Sequence, residues 1–265
     1  MQDLLVDLDL AIAAAYKAGK IAEHYQENGF EELECKKTAG CPALTEADLE
    51  IDKYLHHTLL SQTPDYGWLS EEDSEDNIEG KDRVWVVDPI DGTKCFIKQN
   101  GMFAVSIALL EHGVPMLGVV YNPMRNQMFY CLRGHGVFLN DQRMYTETQT
   151  LDECSLISPL GKKNKPYTQS LIQETAQFEE VGSVAYRLGL IAAGQADLTF
   201  VDHEISIWDI AAGAVMLEEQ GFEIKNLDGS DVSYLPSEVN IPNGIVVCKE
   251  NILEPVLSNL KLILD

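Results

Sequence analysis

The strongest chemical signal in the chain is Val84-Trp85-Val86-Val87-Asp88-Pro89-Ile90-Asp91-Gly92-Thr93. A short buried strand runs directly into two carboxylates, a proline and a glycine, and strand ends are where α/β proteins place their sites. Pro89 disfavours helix at Asp88, and Gly92 lets the backbone approach a ligand closely. The amides of Gly92 and Thr93 can then cradle an anion where a following helix starts. Asp88 and Asp91 are placed to share metal ions. The same residues alone also describe a turn whose Asp91 caps a helix, so further carboxylates are needed to decide.

Two distant segments supply them: Leu69-Ser70-Glu71-Glu72 and Ile207-Trp208-Asp209-Ile210-Ala211-Ala212-Gly213. Each ends an apolar stretch in an acid. Each also has a plainer reading: Glu71 and Glu72 open an acidic run reaching Asp76, the pattern of a solvated loop, and Asp209 suits the cap of a helix carrying Ile210, Ala214 and Leu217. Oxygen-only donors suit magnesium or manganese, and no His or Cys cluster of zinc type is present. The histidines, including His56 and His57, read as helix-surface residues.

Elements must bring these acids together. Leu5, Leu8, Ile12, Ala15, Gly19 and Ala22 recur at helical spacing, and Thr45-Glu46-Ala47-Asp48 reads as a capping box before Ile51, Leu55 and Leu59. Strands are predicted at 84–87, 104–110, 114–121, 127–132 and 137–139, separated by turn residues, as in an antiparallel meander. The polar stretch 140–152 is the expected crossing between halves. Beyond it, strands at 156–158, 196–200 and 244–247 alternate with helices near 167–177, 184–193, 209–220 and 252–260, an α/β pattern. The expected organisation is an N-terminal α+β half, 1–148, with most of the metal ligands, and a C-terminal α/β half, 149–265, that completes the site.

Composition bounds the function. With 265 residues, 45% of them apolar, the chain can bury a large core. A formal charge of −24 argues against binding a nucleic-acid polymer or an anionic membrane, and an anionic substrate would need cations as intermediaries. Cys35, Cys41, Cys95, Cys131, Cys154 and Cys248 form no CxxC pair and fit free thiols in a reducing cytoplasm. No signal peptide or membrane span is visible, and a soluble cytoplasmic protein is expected.

Taken together, Thr45 with Asp48, the pair Glu71-Glu72, the signature from Asp88 to Thr93, Gly182-Ser183, and Trp208-Asp209 with Ala211-Ala212-Gly213 resemble the inositol monophosphatase superfamily of magnesium-dependent, lithium-sensitive phosphatases. The resemblance covers nearly the whole chain. It implies a layered αβαβα sandwich, α/β in class with an α+β first half. It also implies metal ligands at Glu71, Asp88, the carbonyl of Ile90, Asp91 and Asp209, for two or three Mg²⁺ ions, with Mn²⁺ as a substitute and Li⁺ as an inhibitor. Water would attack phosphorus in line, oriented and deprotonated by Glu71 and Thr93, with Asp48 accepting a hydrogen bond from Thr93. Metals roughly 4 Å apart would stabilise the attacking and leaving oxygens. Homodimers are common in that family.

The continuation Thr93-Lys94-Cys95 through Asn100-Gly101 looks like the 3'(2'),5'-bisphosphate nucleotidase branch, so the expected reaction removes the 3'-phosphate of adenosine 3',5'-bisphosphate. Lys94 and Arg187 would offset the second phosphate, while Gly92, Thr93 and Ser183 would contact the first. Cys95 departs from that branch, which commonly has glutamate there. Asp202, seven positions before Asp209, is where inositol phosphatases tend to place an acid that binds sugar hydroxyls, and it keeps inositol-1-monophosphatase or a related sugar phosphatase as the alternative. Lys162, Lys163 and Lys165 form a basic cluster that reads as a solvated loop. Asp7-Leu8-Asp9 lacks the threonine of an aspartate-nucleophile phosphatase, since Ala11 stands there. A regulator that binds metal and phosphate without turnover is disfavoured, because Glu71, Asp88, Asp91, Thr93 and Asp209 are all intact.

Overall fold

The strand that carries Asp88 and Asp91 is covered on both faces. Val84 and Val86 enter one apolar cluster, while Trp85 and Val87 enter another on the opposite side. That is why the segment reads as a continuous apolar run without alternation. The computed structural model describes residues 2–33, 43–72 and 78–261. Cys35, Cys41 and the acidic run from 73 to 76 lie outside the described residues.

In chain order the elements are α1 (Gln2–Asn28), β1 (Glu32–Leu33), β2 (Leu44–Thr45), α2 (Glu46–Gln62), β3 (Gly67–Ser70), β4 (Arg83–Asp91), α3 (Thr93–Ile97), β5 (Ala104–Glu111), β6 (Val114–Asn122), β7 (Gln127–Leu132), β8 (Val137–Leu139) and β9 (Gln142–Met144). There follow β10 (Ser155–Ser158), α4 (Pro166–Glu174), β11 (Gln177–Glu180), α5 (Val184–Ala192), β12 (Leu198–Phe200), β13 (Ile205–Ser206), α6 (Ile207–Glu219), β14 (Phe222–Asn226), β15 (Asn240–Ile241), β16 (Ile245–Lys249) and α7 (Glu250–Leu260). Strands β3 to β9 form one sheet in sequence order, parallel between β3 and β4 and antiparallel thereafter. The second sheet has the order β11-β10-β12-β16-β14 and is mixed.

Three apolar clusters mark the interfaces of a five-layer αβαβα sandwich. Helices α1 and α2 cover the outer face of the first sheet with Ala11, Ala18, Ile51 and Leu55. Helices α5 and α6 fill the space between the sheets, and α4 and α7 cover the second sheet from outside. The middle layer can lie close to the first sheet because of a glycine. A Cβ on Gly118 of β6 would overlap the carbonyl of Ala212 on α6, so this close approach tolerates no side chain. Helix α6 brings Asp209 to the first sheet in this way.

Several boundaries differ from the sequence expectation for local reasons. The strand at 84–87 continues to Asp91 because the ladder with β5 resumes beyond an irregularity. The polar stretch 140–152 contains β9, which folds back on β8 through Asn140 and Asp141, both at positive φ (47° and 65°), a hairpin turn that these residue types tolerate. Helix α4 stops at Glu174, and Gln177–Glu180 becomes a half-exposed edge strand paired to β10. Strands β3 and β14 were not expected from the sequence. No helix among the described residues is long and apolar enough to cross a membrane.

Candidate active site

In a flat strand, residues three apart point to opposite faces. Asp88 and Asp91 avoid this through a β-bulge. Asp88 pairs with Ser106 and Asp91 with Ala104, so Pro89 and Ile90 have one partner position between them. Pro89 is tolerated inside a sheet at such an irregularity, where no ladder donor is needed. The bulge turns both carboxylates to one side, and α6 adds a third. One carboxylate oxygen each from Asp88, Asp91 and Asp209 lies within 4.8 Å of the others.

Each acid is held by its own neighbours. Asp91 Oδ2 accepts from the Ser183 hydroxyl and, at 2.6 Å, from the Ala185 N–H. Ser183 has a positive φ of 59° and caps α5, its Oγ accepting the Tyr186 N–H at 3.0 Å. This uncommon backbone geometry ties the first sheet to the second half. Asp209 is the third residue of α6 and not its cap. Ser206 caps the helix, and its N–H donates to Asp209 Oδ2 at 2.6 Å. Glu71 follows directly on β3, and its N–H donates to Val87 O at 3.2 Å, which holds it beside Asp88.

Asp48 combines both roles that its sequence position allows. Its Oδ2 accepts the Thr45 N–H at 2.8 Å and the Thr45 hydroxyl at 2.5 Å, the capping box of α2. Its Oδ1 lies 3.3 Å from Thr93 Oγ1, which also lies 3.1 Å from the carbonyl of Ile90. Gly92, at φ 91°, precedes the short helix α3. A Cβ there would come within 3.0 Å of Met102 O and 3.1 Å of Ser183 Cβ.

The acids repel one another in a buried place. Asp88 is 1% exposed, and its Oδ1 has no hydrogen-bond partner among the described residues. Burial, then the charges of Glu71, Asp91 and Asp209, hold its carboxyl well above the usual range. Burial also raises Glu71 to about 9, helped by Asp209, Glu72 and Asp91, and raises Asp209 to about 8, helped by Asp91. Asp91 is raised as well, by burial, against the bonds from Ser183 and Ala185 and the Arg187 charge. Asp48 is pushed up to about 6 by burial. A buried, unpaired acceptor among four acids is costly for a protein alone, and hard oxygen donors of this kind fit a divalent cation.

The remaining predicted residues are more dispersed. Lys94 is exposed on α3. Arg187 is 2% exposed. Its Nε donates to Ser183 O at 3.3 Å, and its Nη1 donates to Thr199 Oγ1 at 2.7 Å and Phe200 O at 2.8 Å. Burial lowers it to about 10, and its charge acts on Asp91 and Asp209. Asp202 accepts from Tyr167 at 2.6 Å and Lys162 at 2.7 Å and meets His203 Nδ1 at 3.2 Å. Cys95 is buried against Gly182, where a Cβ would strike its sulfur. The sequence reading missed Ser206, Asp52 and Ser70. The Ser–x–x–Asp spacing of a capping box was a usable signal for the first.

A buried carboxylate cluster at a bulged strand end, closed by a helix from a second sheet, defines a metal-assisted hydrolase of the layered αβαβα type. The sequence model of the inositol monophosphatase family matches residues 3–260, and the chain belongs to that family. It is 34% identical over 266 residues to the Nus factor SuhB of Pasteurella multocida, covering 95% of this chain and 97% of that one. It is 33% identical over 233 residues to the inositol-1-monophosphatase of Caulobacter vibrioides, covering 83% and 89%. Among solved structures it resembles the Thermotoga maritima IMPase with a TM-score of 0.85 at 25% identity, covering 100% of this chain and 98% of that one. The chain is a phosphatase of this metal-dependent family.

Proposed function

We propose that the chain hydrolyses the phosphate monoester of a small polyol with Mg²⁺ as its cation. The observation that carries this reading is Asp88 Oδ1, without a partner among the described residues, beside the oxygens of Asp91 and Asp209. Glu71, Asp88, Asp91, Asp209 and the Ile90 carbonyl would hold the ions. A divalent cation there neutralises the acids, offsets the phosphate charge and makes water more acidic. Asp48 draws the Thr93 proton inward, so Thr93 Oγ1 turns a lone pair outward to accept from the attacking water. The Glu71 carboxylate receives the water proton. The water oxygen bonds to phosphorus, the ester bond to the alcohol oxygen breaks, and that oxygen takes a proton from solvent. Amides of Gly92 and Thr93, which have no acceptor within the short helix, would hold the phosphate.

Two relatives' names favour a polyol substrate: one is an inositol-1-monophosphatase, and a Thermotoga maritima protein 31% identical over 217 residues is a fructose-1,6-bisphosphatase/inositol-1-monophosphatase. Adenosine 3',5'-bisphosphate is the second reading, favoured by the exposed Lys94 directly after Thr93. It is weakened at Arg187, whose guanidinium would have to leave Thr199 and Phe200 to reach a second phosphate. Phosphate release from myo-inositol 1-phosphate and adenosine 3',5'-bisphosphate, each with and without Mg²⁺, tests both. A polyol preference supports the first reading. A nucleotide preference replaces it, and no Mg²⁺-dependent release from either removes both.

A further inference from the structure

Helix α2 carries a second buried acid one turn beyond Asp48. Asp52 is 9% exposed, and its Oδ1 accepts a 2.5 Å hydrogen bond from the hydroxyl of Ser70, which is 0% exposed. Residues four apart share one helix face, so Asp48 and Asp52 form a row along α2. Asp48 Oδ1 faces the Thr93 hydroxyl at 3.3 Å, beside the Ile90 carbonyl at 3.1 Å, and Asp52 takes the hydroxyl of the residue immediately before Glu71. One helix therefore holds both limbs that bring the water-activating pair into the site. The limb needs holding. Asp209, Glu72 and Asp91 repel the Glu71 carboxylate, and the Glu71 main chain is held on the other side by its bond to Val87 O. A buried carboxylate costs stability unless bonded, and apolar packing at Asp52 and Ser70 would avoid that cost while removing the limb's side-chain bond to α2.

We propose that Asp52, acting through Ser70, is a positioning residue that sets where the Glu71 carboxylate meets the cations held by Asp88, Asp91 and Asp209. The proposal rests on the cation-assisted phosphatase reading above.

The test compares wild type, Ser70→Ala, Asp52→Asn and Ser70→Cys. Mn²⁺ affinity is measured by electron paramagnetic resonance of free Mn²⁺, beside Mg²⁺-dependent phosphate release and a thermal melt. Ser70→Ala is expected to bind Mn²⁺ about tenfold more weakly, the scale on which partners of ligating side chains act, and to lose kcat with little change in substrate KM. Asp52→Asn keeps an acceptor oxygen and is expected to stay close to wild type. A folded Ser70→Ala with wild-type Mn²⁺ affinity overturns the proposal. If Ser70→Ala does not fold, Ser70→Cys fills the site with a slightly larger side chain and a weak donor, and unchanged Mn²⁺ affinity there is equally fatal. Wild type that binds Mn²⁺ but releases no phosphate would sink the phosphatase reading, while the affinity comparison would still decide the tether.

Discussion

Asp88 and Asp202 are carboxylates with opposite surroundings. Asp88 lies among like charges with an oxygen that has no partner among the described residues, and its carboxyl is held well above the usual range. Burial acts on Asp202 as well, but bonds from His203, Lys162 and Tyr167 outweigh it and hold that carboxyl below the usual range. The protein satisfies Asp202 with its own side chains. It leaves the cluster around Asp88 to be satisfied by something else, and that contrast identifies the chemical centre better than acidity does in a chain of charge −24.

The largest effect should come from Asp88→Asn. If Asp88 is a direct ligand, as proposed, its replacement should cost more than losing a supporting partner, so Mg²⁺-dependent phosphate release is expected to fall by more than about 100-fold. The thermal shift on adding Mg²⁺ should shrink with it. A variant with both near wild type would break the assignment of the cluster as the metal centre.

The next effect is on stability without metal. Folded pKa values raised to about 6, 8 and 9 at Asp48, Asp209 and Glu71 mean that the protons bind the folded form more tightly than the unfolded one. That contribution is complete below the unfolded values near 4 and is lost as pH rises through the folded values. Metal-free protein should therefore melt lower at pH 9 than at pH 6, by about 5 °C for a loss of about 2 kcal/mol in a chain of this size. Saturating Mg²⁺ should flatten the trend. A melting temperature that is flat from pH 6 to 9 in chelator would show that the acids are not crowded in solution.

Much of this centre was legible because it is local. Asp88, Asp91 and Gly92 end a buried strand within five residues, and Thr45 and Asp48 have capping-box spacing. The bulge at Pro89 was only half visible: the proline signalled an interruption, but the ladder resuming at Asp91 depends on β5. The Ser70–Asp52 bond joins residues 18 apart whose types suit any surface. Arg187 was equally opaque. The resemblance offered it to a second phosphate, whereas here it is a buried clasp between α5 and β12. The positive φ of Ser183 follows from the carboxylate across the interface, not from its neighbours in the chain.

Asp202→Asn sharpens the comparison from its other side. It removes a charge that Lys162 and Tyr167 both bond, and hydrogen bonds to charged groups contribute about 1.5–3 kcal/mol. Lys162 is partly solvated, with 26% of its side chain exposed, so the expected loss is about 1 kcal/mol, a melting shift of about 2 °C. Because the folded pKa is depressed, that stability is present above the unfolded value near 4 and fades as pH falls, the reverse of the cluster's trend. The Mg²⁺-induced thermal shift should stay as in wild type. If Asp202→Asn instead diminished that shift, Asp202 would belong electrostatically with the metal centre, and the division into one acid satisfied by the protein and others awaiting a cation would fail.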